Sequence, residues 1–209
     1  MKRSEFFDEW SALHGGASIT GIVKVWLSIS FAICKFLRVF RITPNLLTML
    51  SLVCGAAFLF SINSAWAISF LVLSLMADGL DGTLAIITGR VSRWGAALDS
   101  IIDRIVETLW ALGLFYLGAP WEWVLIAWLA AFAQEYMRAR AGGLGVNEVG
   151  VVTISERPVR ASFIFIVLIG RLFDFELATL ASIVWAGAQI ISVFTVLRFL
   201  RPHLQQSQR

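Results

Sequence analysis

The chain has 209 residues, of which 58% are hydrophobic and 15% charged, and its mean hydropathy is +0.80. These values exclude a soluble globular protein and describe a polytopic membrane protein. The formal net charge of +3 is small, so the placement of the charges carries more information than their sum, and no nucleic-acid partner is expected.

Residues 1–10 are polar and mixed in charge, without the basic start and short apolar run of a removable signal peptide. Residues 19–40 are apolar but carry Lys24, Lys35 and Arg38, with Arg41 following. That pattern predicts a helix lying in the membrane interface, with an extra spanning helix as the alternative. Six apolar segments follow, at about 46–62, 66–84, 96–117, 121–137, 161–172 (short unless it starts near Arg157) and 177–197. Most approach the ~20 residues that a spanning helix needs. The predicted fold is an all-α integral membrane protein with six transmembrane helices and an N-terminal interfacial amphipathic helix. Its parts are a cytoplasmic and interfacial segment at 1–42, a membrane domain at 43–200 and a cytoplasmic tail at 201–209.

Positive charge tests this layout. With six spans, the N-terminus, the loops near Arg90 and Arg140, and the C-terminus share one side. Every Lys and Arg except Arg171 falls on or near that side, while the loops around Asn63, Pro120 and Asp174 are nearly free of positive charge. The asymmetry puts both termini in the cytoplasm. Cys34 and Cys54 lie in apolar segments and read as small core residues.

The second and third spans carry four aspartates. Asp78 and Asp81 are three apart, Asp99 and Asp103 four apart, so each pair shares a helix face. The short connection between the spans makes them antiparallel neighbours, and the two faces converge just inside the cytoplasmic interface. Carboxylates in an apolar setting are expensive and default to function. Their mutual repulsion calls for divalent cations, and oxygen donors suit Mg²⁺, with room for two ions bridging a phosphate. Gly82 and Gly95 remove side chains beside the aspartates and let a bulky ligand approach the backbone. The bland alternative is two solvated acidic faces with close helix packing. A cation transporter is a third reading, but its site would lie at the midplane.

The pattern resembles the signature of the CDP-alcohol phosphatidyltransferases, D-x2-D-G-x2-A-R-x8-G-x3-D-x3-D. The chain matches at Asp78, Asp81, Gly82, Ala85, Gly95, Asp99 and Asp103 with every spacing kept, and departs at Ile86, where the family has arginine. The entry Thr43-Pro44-Asn45-Leu46-Leu47-Thr48 to the first span also resembles the family. The resemblance implies a phosphatidyl transfer from CDP-diacylglycerol to a hydroxyl acceptor, with release of CMP. It implies that Asp78, Asp81 and Asp99 hold Mg²⁺ or Mn²⁺, in two ions. Asp103 contributes to the metal site and acts as general base, and Gly82, Ser92 and Gly95 line the nucleotide. Arg138, Arg157, Arg160 and Arg198 resemble basic residues that face an acceptor phosphate in bacterial phosphatidylinositol phosphate synthases. This favours a phosphorylated polyol such as inositol phosphate or glycerol 3-phosphate. A multi-pass plasma-membrane homodimer with a cytoplasmic active site is expected. The departure at Ile86 keeps a non-catalytic CDP-lipid-binding relative as an alternative.

Overall fold

The computed structural model describes residues 1–146 and 151–206. The end of the glycine-rich stretch running to Gly150, and the last residues of the predicted tail, lie outside the described residues. The described residues form eight α-helices and no strand: α1 Arg3–Leu13, α2 Gly21–Val39, α3 Pro44–Phe60, α4 Trp66–Thr88, α5 Arg93–Tyr116, α6 Trp121–Gly143, α7 Arg157–Arg171 and α8 Ala178–Gln206. The six predicted spans correspond to α3–α8. Helices α4 and α8 are each long and apolar enough to cross a membrane, and α2 with α3 qualify as a pair bent by 108°. Helices α5 and α6 carry charged residues along their length, and α7 has 15 residues, about 22 Å against a ~30 Å hydrocarbon core.

Three features of these helices have local causes. Helix α1 was hidden by its polar composition. It forms because Phe6 is fully buried against α2, beside Phe31, with Phe7 and Trp10 packed on the same cluster. Helix α7 starts at Arg157, because Pro158 suits a helix's first turn, where its missing N–H costs nothing. Helix α8 continues past 197 to Gln206, through Pro202, since the polar residues there are good helix formers.

The chain folds as two compact units. The first comprises Met1–Gly55 and Val72–Val106. Its core gathers Phe6, Leu27, Cys34, Leu47, Leu80 and Leu84, together with Ile86 and Ile87. Polar ties fix the helices around it: Cys34 Sγ donates to the Leu80 carbonyl at 3.3 Å, and Ser74 Oγ donates to the Ser51 carbonyl at 2.8 Å. Both cysteines are free and buried, as their apolar settings predicted.

The second unit comprises Ala56–Leu71 and Glu107–Arg209. Here α8 packs against α6 and α7. Ala127 and Ala131 on α6, and Ala181 and Ala186 on α8, are buried. Small residues at such contacts let helix backbones approach closely. The same unit buries polar groups: Gln189 Nε2 lies 2.6 Å from the Gln134 amide, and Ser155 Oγ donates to Gln189 Oε1 at 2.7 Å.

Candidate metal centre and active site

The centre is built on the C-terminal half of α4 and the N-terminal half of α5 in the first unit. Helix α3 enters it through Thr43, whose Oγ1 accepts from the Leu46 N–H at 3.4 Å, with Pro44 in the first helical position. Helix α5 enters through Ser92, whose Oγ accepts from the Gly95 N–H at 3.0 Å. A side chain on Gly95 would come 3.0 Å from Ser92 Oγ and 3.5 Å from Asn45 Oδ1. Gly95 is therefore the point where the starts of α3 and α5 meet closely, and the Ser92 hydroxyl serves as a helix cap.

From these caps Asp99 and Asp103 project on successive turns of α5, opposite Asp78 on α4. Carboxylate oxygens of Asp78, Asp99 and Asp103 all lie within 4.8 Å of one another, and each residue is partly buried. At that separation two like charges repel by at least ~3.5 kcal/mol in an effective dielectric of about 20. Three such pairs amount to about 10 kcal/mol, comparable to the whole stability of a domain. A divalent cation turns this repulsion into ligation. The all-carboxylate donor set suits hard ions such as Mg²⁺, Mn²⁺ or Ca²⁺. The residues thus fit a metal.

The fourth predicted ligand is held differently. Asp81 is 7% exposed and turned toward α3. Its Oδ2 accepts from Thr48 Oγ1 at 2.5 Å and its Oδ1 from the Gly82 N–H at 2.6 Å. Thr48 is a partner of the candidate site that sequence reasoning missed. It stands in the Thr43–Thr48 entry noted above, but nothing in one dimension links it to an aspartate one helix away.

The two glycines beside the aspartates of α4 do different work. A side chain on Gly79 would lie 2.6 Å from the Trp26 ring, so Gly79 lets α2 pack on α4. A side chain on Gly82 would meet nothing within 4 Å, so Gly82 borders open space one turn after Asp78. Ile86, at the motif's departure, is 3% exposed and forms part of the first unit's core.

The four predicted acceptor arginines belong to the second unit. Arg160 has a fully buried side chain. Its Nη1 donates to Glu107 Oε1 at 2.6 Å, its Nη2 to Glu135 Oε1 at 2.9 Å and its Nε to the Ser155 carbonyl at 2.8 Å. Arg138 forms a fork with Glu156 at 2.9 and 2.7 Å, and donates to the Val151 carbonyl at 2.8 Å. The guanidinium of Arg157 sits 5.2 Å above the Trp110 ring, a cation–π distance. Arg198 is exposed on α8. Burial pushes the Glu156 carboxyl up, but the Arg138 fork and the Thr153 donors outweigh it and hold the group below the usual carboxylate range. Glu107, Glu135 and Glu156 were not anticipated. Their only sequence signal is that acids recur near arginines in apolar surroundings.

A candidate oxygen-donor metal centre on two helices of a membrane chain is what a metal-dependent membrane enzyme requires. Residues 41–197 match the family model described as CDP-alcohol phosphatidyltransferase. The chain belongs to the CDP-alcohol phosphatidyltransferase family, and it is a phosphatidyltransferase of phospholipid biosynthesis. It is 32% identical over 177 residues to an archaetidylinositol phosphate synthase of Aeropyrum pernix, covering 82% of this chain and 89% of that one. It is 33% identical over 177 residues to a phosphatidylinositol phosphate synthase of Mycolicibacterium smegmatis, covering 77% and 75%. Its fold is similar to that of Mycobacterium tuberculosis phosphatidylinositol phosphate synthase with CDP-DAG bound. That match has a TM-score of 0.70 at 23% identity and covers 83% of this chain and 94% of that one. Another structure of the same enzyme, with manganese and citrate, matches equally well, with a TM-score of 0.70. Family membership decides against the transporter reading, and the relatives of comparable length are named as synthases.

Proposed function

We propose that this enzyme transfers a phosphatidyl group from CDP-diacylglycerol to inositol phosphate, releasing CMP. The observation that carries the reading is the Asp78–Asp99–Asp103 triad, with its carboxylate oxygens within 4.8 Å. The acceptor follows from the relatives, which are named for inositol phosphate products whether their lipid is archaeal or bacterial. Glycerol 3-phosphate is the competing polyol phosphate.

Asp78, Asp81 and Asp99, with Asp103 contributing, would hold Mg²⁺ or Mn²⁺, as two ions. When bound, the metal supplies charge neutralisation for the diphosphate. Asp103, one turn beyond Asp99, accepts the proton of the acceptor hydroxyl. The acceptor oxygen bonds to the β-phosphorus, and the bridging P–O bond breaks to release CMP. The open space at Gly82 admits the nucleotide, beside Ser92 and Gly95. Thr48 holds Asp81 in a fixed orientation. The acceptor phosphate is gripped by basic residues among Arg138, Arg157, Arg160 and Arg198. Arg157 and Arg198 make the direct contacts, while Arg138 is already paired with Glu156 and Arg160 with Glu107 and Glu135.

Helices α3–α8 are the six spans, and α2, leaving α3 at a 108° bend, lies in the interface. Both termini and the active site face the cytoplasm at the plasma membrane, and two copies pair as a homodimer. The test is CMP release from CDP-diacylglycerol in detergent across inositol phosphate, glycerol 3-phosphate and phosphatidylglycerol. Turnover should require inositol phosphate, stop in EDTA, return with Mg²⁺ or Mn²⁺, and be lost in Asp78→Asn and Asp99→Asn. Full turnover in excess chelator sinks the metal assignment, and preference for another acceptor sinks the inositol phosphate assignment.

A further inference from the structure

Arg171 is the one basic residue that breaks the charge asymmetry of the chain, and the second unit puts it at a cavity. The cavity, about 180 Å³, is lined by residues of the α3–α4 connection and the end of α7. Its polar lining is Asn63, Ser64 and Arg171, and its apolar lining includes Ile62, Ile68 and Leu168. The volume is more than ten times what one water requires. The negative end of α7 and the positive start of α4 both border the cavity and offset one another, leaving the full charge of Arg171 to set its sign. Asp174 and Glu176 follow Arg171 closely in sequence but do not line the cavity.

The surroundings say what kind of anion this is. A side chain on Gly113 near the end of α5 would lie 2.4 Å from the Phe58 ring, so the ends of α3 and α5 are neighbours. At these helix ends stand large exposed aromatic residues: Phe60, Trp66, Tyr116, Trp121 and Phe173. Aromatic residues gather in this way at the level of lipid headgroups. Arg171 shares the cavity with two small polar side chains and an apolar lining, the two kinds of surface that a phospholipid headgroup and its first acyl carbons need. The guanidinium fork suits the phosphate, and the apolar lining suits the first part of an acyl chain.

We propose that this cavity binds the headgroup of an anionic glycerophospholipid, with Arg171 on its phosphate. The inference is independent of the acceptor assignment above. The experiment is a titration of the full-length, delipidated protein in detergent, read by native mass spectrometry, with dioleoylphosphatidylglycerol, dioleoylphosphatidylcholine and inorganic phosphate as probes. One phosphatidylglycerol should be retained in preference to phosphatidylcholine. Arg171→Ala should weaken its binding about ten-fold or more, and Arg171→Lys should recover part of the loss. Ala65→Trp, which fills the cavity and leaves Arg171 in place, should expel the lipid as well. CMP release should stay at the wild-type level in all three variants, which also reports that they fold. Equal retention of phosphatidylglycerol by wild type, Arg171→Ala and Ala65→Trp overturns the site. Saturable binding of inorganic phosphate that depends on Arg171, without lipid retention, overturns the lipid assignment in favour of a free anion.

Discussion

Replacing Thr48 with valine tests whether Asp81 is a positioned metal ligand. The two side chains have nearly the same shape, so the change removes a hydroxyl and leaves the packing intact. Thr48 Oγ1 lies 2.5 Å from Asp81 Oδ2 and 3.3 Å from the Pro44 carbonyl, so the carboxylate is its principal partner. Both residues are buried, Thr48 at 3% and Asp81 at 7% exposure, so water does not replace the lost donor. A hydrogen bond to a charged group contributes about 1.5–3 kcal/mol, or roughly ten- to a hundred-fold in an equilibrium constant. The loss should appear as a ten- to hundred-fold rise in the Mg²⁺ or Mn²⁺ concentration for half-maximal CMP release. The melting temperature should change little under saturating metal. Thr48→Ser, which keeps the hydroxyl, should stay within a few-fold of wild type. A Thr48→Val enzyme with the wild-type metal midpoint would refute the reasoning and leave Asp81 a structural acid.

Gly79→Ala and Gly82→Ala should separate stability from activity. The first drives a methyl group into Trp26 and should cost about 1–3 kcal/mol in thermal unfolding. The second meets open space and should leave the melting point unchanged or slightly raised, while CMP release falls because the nucleotide's approach is narrowed. Glu107→Gln leaves the fully buried Arg160 without its closest carboxylate and should destabilise the protein by about 3–5 kcal/mol. The double variant Glu107→Met with Arg160→Met should recover much of that loss, as differential scanning fluorimetry would report. Glu156 titrates below its unfolded value, so its stabilising contribution is complete above about pH 4.3 and is lost as pH falls through the lower, folded value. The melting-point gap between wild type and Glu156→Gln should therefore be widest near neutral pH and narrow as pH falls through the folded value of Glu156. A gap that does not change with pH removes the Arg138–Glu156 pair as its cause.

The helical class, the segments that become α3–α8 and the candidate metal ligands were all legible in the sequence. Each rests on a one-dimensional signal: apolar runs of spanning length, and aspartates at the i, i+3 and i, i+4 spacings that share a helix face. Asp78, Asp99 and Asp103 could be paired from sequence because a short connection makes α4 and α5 antiparallel neighbours. The tertiary structure decided what depends on which neighbour a side chain meets. Asp81 is drawn to Thr48 on α3, although its spacing groups it with Asp78. Gly79 and Gly82, alike in composition, divide into a packing glycine and an open one because only the first faces Trp26. The arginines that read as a free basic cluster include two that are held by glutamates. Arg160 reaches Glu107 over a separation of 53 residues, and no local pattern encodes a contact at that range. Helix α1 belongs to the same group, since its polar residues give no apolar signal and the burial of Phe6 against α2 is what holds it. Local periodicity fixes which face of a helix a residue occupies, and only packing fixes what that face touches.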